Sequence, residues 1–169
     1  MSRSRLSAAS AKAKIKSLRA LARIVRKAQA DGRRVVLTNG CFDLVHAGHV
    51  RLLERAASLG DVLIVAVNND RSVRALRKGP GRPVVGERDR ALLLAALQSV
   101  TYVTIFGQLT PLAVVKRLKP DVLLKGADWG ADQIVGRDVV EQHGGRVVRM
   151  PLVAGYSTSK LIERIRRRR

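Results

Sequence analysis

The sequence predicts an α/β fold in which helices cover both faces of a parallel sheet. Short runs of β-branched and aliphatic residues alternate along the chain with segments of helical periodicity. Two of these runs, 61–67 and 121–125, are almost continuously apolar, which is typical of strands buried on both faces. With 169 residues, 46% of them hydrophobic, the chain can bury one core. We therefore expect one doubly wound, Rossmann-like domain with a five-stranded parallel sheet.

Five strands and six helices make up the predicted domain. The strands are expected at 34–38, 61–67, 102–106, 121–125 and 146–150, and the helices at 15–30, 47–58, 87–98, 110–118, 132–143 and 158–166. Residues 70–86 form the longest expected interior loop, and their Gly and Pro content is typical of a flap over a site. Ligands of such sheets bind beyond the carboxyl ends of the strands. The loops of interest therefore begin at residues 39, 68, 107, 126 and 151.

Most of the positive charge lies at the two ends of the chain. The sequence has 33 Lys and Arg against 13 Asp and Glu, and segments 1–29 and 160–169 carry +14 of the net charge of +20. We expect residues 1–14 to form an unstructured basic arm, residues 15–165 the folded domain, and residues 166–169 a basic tail. Such ends can be solvated tails that aid solubility, or they can attract RNA or a membrane surface.

Several classes of protein are excluded or disfavoured. Every apolar run is shorter than the roughly 18 to 20 residues that cross a bilayer, so no membrane insertion is expected. Lysines and arginines interrupt the N-terminal segment too often for a secretory signal, which favours a cytoplasmic protein. A basic start without acids is also typical of an organelle transit peptide. The single cysteine, Cys41, excludes an internal disulfide and a multi-cysteine zinc site.

The strongest functional signal follows the first predicted strand. Asn39 and Gly40 permit a tight turn whose N–H groups can face a ligand, and the next helix brings the positive end of its dipole there. His46 and His49 lie three residues apart at the start of that helix, where each can donate a hydrogen bond to a phosphate oxygen. Gly48 between them leaves room for a close approach. The pattern predicts an anion site.

Two other interpretations of the histidine pair are open. Histidines spaced i, i+3 could ligate zinc, but no third ligand is evident nearby and the Glu of the metalloprotease motif is missing. The pair could also lie on the surface by coincidence. The chain has only three histidines, and two of them flank a glycine at a strand-to-helix turn, which favours the anion site.

The segment TNGCFDLVHAGHV at 38–50 resembles the first signature of the HxGH nucleotidyltransferase superfamily, in its cytidylyltransferase-like branch. The segments RKGPGRP at 77–83, KGADW at 125–129 and GYSTSK at 155–160 resemble further motifs of that branch in the same order. With GRDVVEQHGG at 136–145, the chain is most similar to the D-glycero-β-D-manno-heptose 1-phosphate adenylyltransferases of lipopolysaccharide precursor synthesis. The resemblance covers about residues 15–165.

The resemblance implies that a nucleoside triphosphate, ATP, binds at the histidine turn. His46 and His49 would stabilise the transition state, and a basic flap residue, Lys78 with Arg77 or Arg82 as a substitute, would close on the phosphates. Mg²⁺ would be held mainly by phosphates and water rather than by protein ligands. No thiol chemistry is expected of Cys41. The implied nucleotide-binding residues are Asn39, Gly40, Cys41, Phe42, His46, Gly48, His49, Lys125, Tyr156, Ser157, Thr158 and Ser159.

A second set of residues is expected around the sugar phosphate. Arg90 would hold a phosphate through its forked guanidinium, or would simply pair with Glu87. Asp43 and Asp70 would accept hydrogen bonds from sugar hydroxyls, or would cap turns.

Two motifs near the end of the domain have both a functional and a structural interpretation. Asp128 and Trp129 would line the base or sugar pocket, although a single tryptophan is more often a residue of the core. The hydroxyls of residues 157–159 would face the phosphates, or would form an ordinary helix N-cap.

We therefore expect an enzyme that transfers AMP from ATP to heptose 1-phosphate and releases pyrophosphate. The resemblance also implies a homodimer. A CTP-dependent cytidylyltransferase acting on a polyol or amino-alcohol phosphate is the near alternative. A nucleic-acid-binding protein is the alternative from another class: the basic ends favour it, but only 3% of residues are aromatic and no nucleic-acid-binding module is recognisable.

Overall fold

The computed structural model describes residues 10–77, 79–126, 134–151 and 155–167. Five strands and eight helices lie within these ranges. The strands are β1 (Val35–Gly40), β2 (Val62–Asn68), β3 (Tyr102–Phe106), β4 (Val122–Gly126) and β5 (Arg146–Met150). The helices are α1 (Ala11–Lys14), α2 (Leu18–Ala30), α3 (Ala47–Ala57), α4 (Asp70–Ala75), α5 (Glu87–Ala96), α6 (Leu112–Leu118), α7 (Arg137–Gln142) and α8 (Thr158–Arg166).

The five strands form one parallel sheet in the order β3-β2-β1-β4-β5. In the register of the central strand, Val36 lies opposite Leu63 of β2 on one side and Val122 of β4 on the other. All seven residues of β2 are buried, as their continuous apolar character predicted. The predicted fold is confirmed.

Helices cover both faces of the sheet because alternate side chains of each strand point to opposite faces. Val35 and Leu37 of β1 join a core cluster with residues of α2, α6 and α7. Val36, between them in the sequence, joins a second cluster with residues of α3 and α5. Each strand of the sheet interior therefore contributes to two cores.

The order of the strands places a topological switch point between β1 and β4. From β1 the chain continues outward through β2 and β3, and it then returns to form β4 and β5 on the other side of β1. Loops that leave neighbouring strands in opposite directions separate and open a crevice at the carboxyl ends of those strands. The turn after Gly40 and the end of β4 at Gly126 therefore border the crevice that such folds use to bind ligands.

The expectation of an unstructured arm before residue 15 is wrong for residues 11–14, which form α1. The Nζ atom of Lys14 donates hydrogen bonds to the carbonyl oxygens of Leu97 and Val100, at 3.2 and 2.9 Å. Ile15 then forms a parallel bridge with Val103 at the outer edge of β3. The predicted helix 15–30 accordingly begins only at Leu18, after Ser17, whose side chain accepts a hydrogen bond from the N–H of Ala20.

The segment 70–86, predicted as a loop, begins instead with the short helix α4. The side chain of Asn69 accepts a hydrogen bond from the N–H of Ser72 and caps this helix at its start. Six residues are too few for helical periodicity to stand out in the sequence. The actual connection between α4 and α5 is therefore shorter than expected.

Across the described ranges, the helices are too short and too polar to span a bilayer.

We expect Lys14→Ala to lower the free energy of unfolding by about 1 to 2 kcal/mol, because two partly buried carbonyl groups lose a charged donor. The control is Lys12→Ala, which removes an exposed lysine from the same helix and should change stability by less than about 0.5 kcal/mol. Urea denaturation of the three proteins measures both effects. Equal stability of Lys14→Ala and Lys12→Ala would show that the two hydrogen bonds of Lys14 do not stabilise the fold.

Candidate active site

The site begins where β1 ends, at the switch point of the sheet. The side-chain oxygen of Asn39 accepts a hydrogen bond from Nζ of Lys125, which lies at the end of the neighbouring strand β4. This bond joins two of the expected nucleotide-binding residues across the crevice. Gly40 follows Asn39, and a Cβ atom at this position would lie 3.1 Å from the ring of Phe42. The turn therefore has little room for a side chain at residue 40.

Phe42 turns the chain sharply beneath the histidines. Its backbone has φ 47°, in the left-handed region that costs about 1 to 2 kcal/mol for a residue with a side chain. Its ring is buried and lies against the ring of His49, with centroids 5.2 Å apart and planes tilted by 59°. The ring of Phe42 thus packs against His49. Cys41, which precedes Phe42, is buried as well.

His46 and His49 are stacked at the start of α3. Their ring centroids are 3.8 Å apart and their planes differ by 16°. His46 is the N-cap residue of α3, an 11-residue helix, but its side chain makes no capping hydrogen bond. The first N–H groups of α3 therefore donate no hydrogen bond to the side chain of His46. In the described structure the buried Nδ1 atoms of both rings also lack hydrogen-bond partners. Unpaired buried polar atoms are rare. The uncapped N-terminus of α3 is the feature here that fits an anion-binding site.

Both histidines are held in the neutral form. Burial lowers the pKa of His46 from its ordinary value. Burial also lowers the pKa of His49, and the neighbouring His46 and the positive charge of Arg82 lower it further, to about 4. Two stacked imidazoles cannot both carry a positive charge without strong repulsion. Each neutral ring still has one N–H group with which it can donate a hydrogen bond.

The second expected nucleotide motif approaches the histidines from the start of α8. The ring of Tyr156 is stacked with that of His46 at a centroid distance of 6.1 Å, and the guanidinium of Arg51 lies over the Tyr156 ring, 5.6 Å from its centroid. A Cβ atom on Gly48 would lie 2.9 Å from Cβ of Tyr156 and 3.1 Å from the ring of His46. Glycine at residue 48 is therefore what allows this approach.

The hydroxyl residues of that motif have different surroundings. Ser157 caps α8 by accepting a hydrogen bond from the N–H of Lys160. Thr158 is buried, whereas Ser159 is exposed. The structure therefore shows the capping role for Ser157, and Tyr156 of the same motif lies beside the histidine turn.

Asp43 lies in the same turn but its carboxylate is already occupied. Its Oδ2 accepts a hydrogen bond from Nε of Arg82 at 2.6 Å, and its two oxygens accept bonds from the N–H groups of Val84 and Val85. The side chain is completely buried. Of the two interpretations of Asp43, the contacts support the one in which it holds a turn rather than a sugar hydroxyl.

Arg90 is also a buried structural residue, and its alternative pairing with Glu87 is wrong. Its side chain is fully buried, and it donates to the carbonyl oxygens of Cys41 and Val85 and to Oδ1 of Asp70. Glu87 instead accepts a hydrogen bond from the N–H of Asp70. The guanidinium therefore ties α5 to the histidine turn, and all three of its nitrogens are used in doing so.

The remaining predicted site residues lie partly outside the described structure. Lys78, Asp128 and Trp129 belong to residues that the structure does not describe. The residues at the end of β1, the turn that follows and the start of α8 are brought together. Arg51 was missed because the contact with Tyr156 joins residues more than a hundred positions apart, and no local pattern reveals it.

A cleft of about 560 Å³ lies at the other end of the sheet, away from the histidines. It is lined by Gln29, Gly32, Arg33, Arg34, Asp61, Asp121, Val122, Gly144 and Arg146. These residues precede the strands or occupy their first positions, where α/β sheets of this kind do not bind their ligands. We therefore place the active site at the histidine turn and not in this cleft.

Metal ligation by the protein is not suggested by the side chains near the site. In the described ranges no group of three or more His, Cys, Asp or Glu residues is arranged to hold an ion. His46 and His49 are in ring-to-ring contact, whereas two ligands of one zinc ion must point their nitrogens at a common centre. The geometry therefore favours the anion interpretation of the pair.

We expect Arg90→Lys to lower the free energy of unfolding by about 2 to 4 kcal/mol, since a lysine at this buried position cannot satisfy the three acceptors of the guanidinium at once. Arg88→Lys, at an exposed position of the same helix, is the matched control and should change it by less than about 0.5 kcal/mol. Chemical denaturation provides the comparison. A stable Arg90→Lys protein would mean that the guanidinium does not hold the turn.

The lowered pKa of His49 predicts a dependence of stability on pH. Between about pH 4 and pH 6.5 the unfolded chain binds a proton at His49 that the folded chain does not, so stability should rise with pH across this window. The contribution of one such proton is at most about 1.4 kcal/mol per pH unit. In urea denaturation at pH 5, 6 and 7, His49→Gln should show a shallower rise than the parent protein. His143→Gln serves as the control, and equal slopes for His49→Gln and the parent would contradict the prediction.

Comparison with known proteins identifies the family. The model of the Cytidylyltransferase-like family matches residues 37–164. Bifunctional protein HldE of Geotalea uraniireducens (strain Rf4) is 51% identical over 154 residues, which are 91% of this chain and 31% of that protein. Bifunctional protein HldE of Gluconobacter oxydans (strain 621H) is 56% identical over 141 residues, 83% of this chain and 29% of that protein. The chain thus spans less than a third of these relatives.

A solved structure agrees with the family match. The lipopolysaccharide core biosynthesis protein from Thermoplasma volcanium GSS1 superimposes with a TM-score of 0.60 and 27% sequence identity, covering 72% of this chain and 98% of that one. The family match covers β1 to α8, the stretch that contains both the histidine turn and the motif at 155–160. The resemblance inferred from the motif at 38–50 is confirmed, and the chain belongs to the cytidylyltransferase-like family of nucleotidyltransferases.

Proposed function

We propose that this chain transfers AMP from ATP to D-glycero-β-D-manno-heptose 1-phosphate, with release of pyrophosphate. The observation that carries the proposal is the stacked pair His46 and His49 at the N-terminus of α3, beside the switch point of a parallel sheet. Neutral imidazole N–H groups, helix N–H groups and Lys125 converge there. This set of donors suits the phosphates of a nucleotide.

The reaction joins two phosphates without a covalent enzyme intermediate. An oxygen of the sugar phosphate attacks the α-phosphorus of ATP, the bond between that phosphorus and the oxygen bridging to the β-phosphorus breaks, and pyrophosphate leaves with the bonding electrons. The residues have no proton to remove from a phosphate that is already ionised. Their contribution is to position the two substrates and to donate hydrogen bonds to the oxygens that gain charge.

The neutral state of the histidines suits this role. In the free protein both rings are uncharged, and the approach of an anionic phosphate favours the protonated form. Binding can therefore draw a proton onto the pair and increase its attraction for the nucleotide. Lys125 at the end of β4 supplies a permanent positive charge on the other side of the crevice.

Mg²⁺ belongs to the proposal as a partner of the nucleotide. It would neutralise the terminal phosphates and would be held mainly by them and by water, because Mg²⁺ retains several waters when it binds. No described cluster of protein ligands competes with this arrangement.

The sugar and the base are proposed from similarity. The motifs resemble those of heptose 1-phosphate adenylyltransferases, and the relatives at about 50% identity are bifunctional proteins of which this chain matches less than a third. The structural neighbour is a lipopolysaccharide core biosynthesis protein. These names favour an ADP-heptose product over the CTP-dependent alternative. The contacts of the described residues support the phosphate part of the proposal, and the choice of base rests on the similarity alone.

Asp43 and Arg90 have a different place in the proposed enzyme from the one that the motifs implied. We propose that Asp43 and Arg90 position the histidine turn and the loop before α5, since Asp43 is bonded to Arg82 and to backbone N–H groups, and Arg90 to two carbonyl oxygens and Asp70. Only one oxygen of Asp70 is paired with Arg90, and a bond from Asp70 to a sugar hydroxyl stays a prediction. Homodimer formation, a cytoplasmic location, and the roles of Lys78, Asp128, Trp129 and the basic ends stay predictions.

We expect His46→Ala and His49→Ala each to lower kcat/KM by about 100- to 1000-fold, the usual loss when one donor to a charged transition state is removed. Pyrophosphate release with ATP, Mg²⁺ and heptose 1-phosphate measures this. The control is His143→Ala, whose ring contacts the carbonyl oxygen of Val139 in α7 and should leave the rate within about twofold.

The same assay separates the competing functions. Preference for CTP over ATP in a mixed assay would favour the cytidylyltransferase alternative. Absence of turnover by the parent protein across a panel of sugar phosphates and nucleoside triphosphates would reject the proposed enzyme, and full activity of both histidine variants would reject the assigned site.

A further inference from the structure

Arg82 is a buried cation at the edge of the histidine turn. Only 8% of its side chain is exposed, and its Nε donates to Oδ2 of the fully buried Asp43 at 2.6 Å. Asp43 follows Phe42 in the turn and precedes His46 by three residues. The ion pair therefore fixes Arg82 beside the turn that carries both histidines.

The loop on which Arg82 lies is attached at several points. The N–H groups of Val84 and Val85 donate to Asp43 at 2.9 to 3.0 Å, and the carbonyl oxygen of Val85 accepts a bond from Nε of Arg90. Arg90 in turn donates to the carbonyl oxygen of Cys41. Residues 82–85 and the histidine turn thus form one hydrogen-bonded unit. Arg82 cannot leave the site unless it breaks the pair with Asp43.

The two Nη atoms of Arg82 make no hydrogen bond within the described structure. The hydrogen bond of its side chain uses Nε, and in the described structure neither Nη atom has an acceptor. Among the described residues, the buried polar atoms that lack a partner do not include the Nη atoms of Arg82. These atoms are therefore accessible to solvent. A guanidinium offers its N–H groups as a rigid fork that fits two phosphate oxygens.

The charge of Arg82 reaches the histidines. It is one of the causes, after burial and the neighbouring His46, of the lowered pKa of His49. The guanidinium and the imidazole are therefore close enough for their charges to interact. A buried cation whose donors are half satisfied gains the most from a phosphate ligand.

We propose that Arg82 directly binds the polyphosphate of the nucleotide, as a cation that Asp43 holds in place before the substrate arrives. This inference rests on the proposed function, because it takes the histidine turn to be the triphosphate site. The resemblance offered Arg82 only as a substitute for Lys78 on a flap that closes, whereas the contacts of Arg82 with Asp43 make it a fixed part of the turn. The phosphate-binding cation is instead part of the preformed turn.

The test is isothermal titration of the full chain with inorganic pyrophosphate in the presence of Mg²⁺. We expect Arg82→Gln to weaken pyrophosphate binding about 10- to 100-fold, which corresponds to the loss of charged hydrogen bonds to an anion. The matched control, Arg71→Gln, removes the same charge from an exposed position of the nearby α4 and should bind within about twofold of the parent. A structural role alone would lower the melting temperature of Arg82→Gln and leave its affinity for pyrophosphate unchanged.

A second variant decides the case in which Arg82→Gln does not fold. Arg82→Lys keeps a charge that can pair with Asp43 but has no fork, so we expect pyrophosphate to bind about fivefold more weakly or worse. Affinity equal to the parent in the folded variant would overturn the proposal. So would a larger loss in Lys78→Gln than in Arg82→Gln. If the parent itself binds neither pyrophosphate nor ATP, the proposed function fails, whereas normal binding by the parent and both Arg82 variants rejects the role of Arg82 alone.

Discussion

The buried guanidinium of Arg90 is the interaction on which the geometry of the site depends. The turn after β1 places Phe42 in a backbone conformation that residues with side chains avoid, and it buries Cys41 with a carbonyl group that needs a donor. Arg90 supplies that donor from α5 and uses its other nitrogens on Val85 and Asp70. A charge in this position is costly unless every donor is used. The turn, the loop at 82–85 and two helices are therefore held in one arrangement by a single side chain.

The stacked histidines show how such rigidity can serve binding. Two imidazoles 3.8 Å apart, supported by Phe42 and approached by Tyr156, have little freedom to rotate. Their unpaired Nδ1 atoms and lowered pKa values are a cost that the fold bears in the free state. An anion offsets the part of that cost that comes from the lowered pKa values, since it stabilises added positive charge on the rings. In the proposed enzyme the site is thus arranged for a bound nucleotide at the expense of the free protein, as preorganised electrostatic sites are.

Elements with a strong local signal were predictable from the sequence, and elements that depend on distant contacts were not. The five strands and the histidine turn follow from apolar runs and from residues adjacent in the sequence. By contrast, α1 has no apolar periodicity and is held by Lys14 through carbonyl groups more than eighty residues away. The acceptor of Arg90 at Cys41 lies 49 residues before it, so the motif around Arg90 indicated a phosphate contact where the fold has a structural one. The residues of the histidine turn were predictable because they are close together in the sequence. The contacts that hold the turn in place were not, because they join residues that are far apart in the sequence.

The net charge of the chain and the charge of its site answer different questions. Most of the +20 belongs to the two ends, whereas the cations brought to the crevice are Lys125, Arg82 and Arg90, with Asp43 and Asp70 beside them. The carboxylates nearly cancel the arginines, so a general attraction for anions cannot explain selectivity for a nucleotide there. The orientation of the donors can explain it. Asp43 accepts a hydrogen bond from Nε of Arg82 and leaves the Nη atoms of the guanidinium available. The N-terminus of α3 and the imidazoles offer further N–H groups from other sides. A phosphate chain that meets all of these at once binds by geometry, which a flexible basic tail of much larger charge cannot provide.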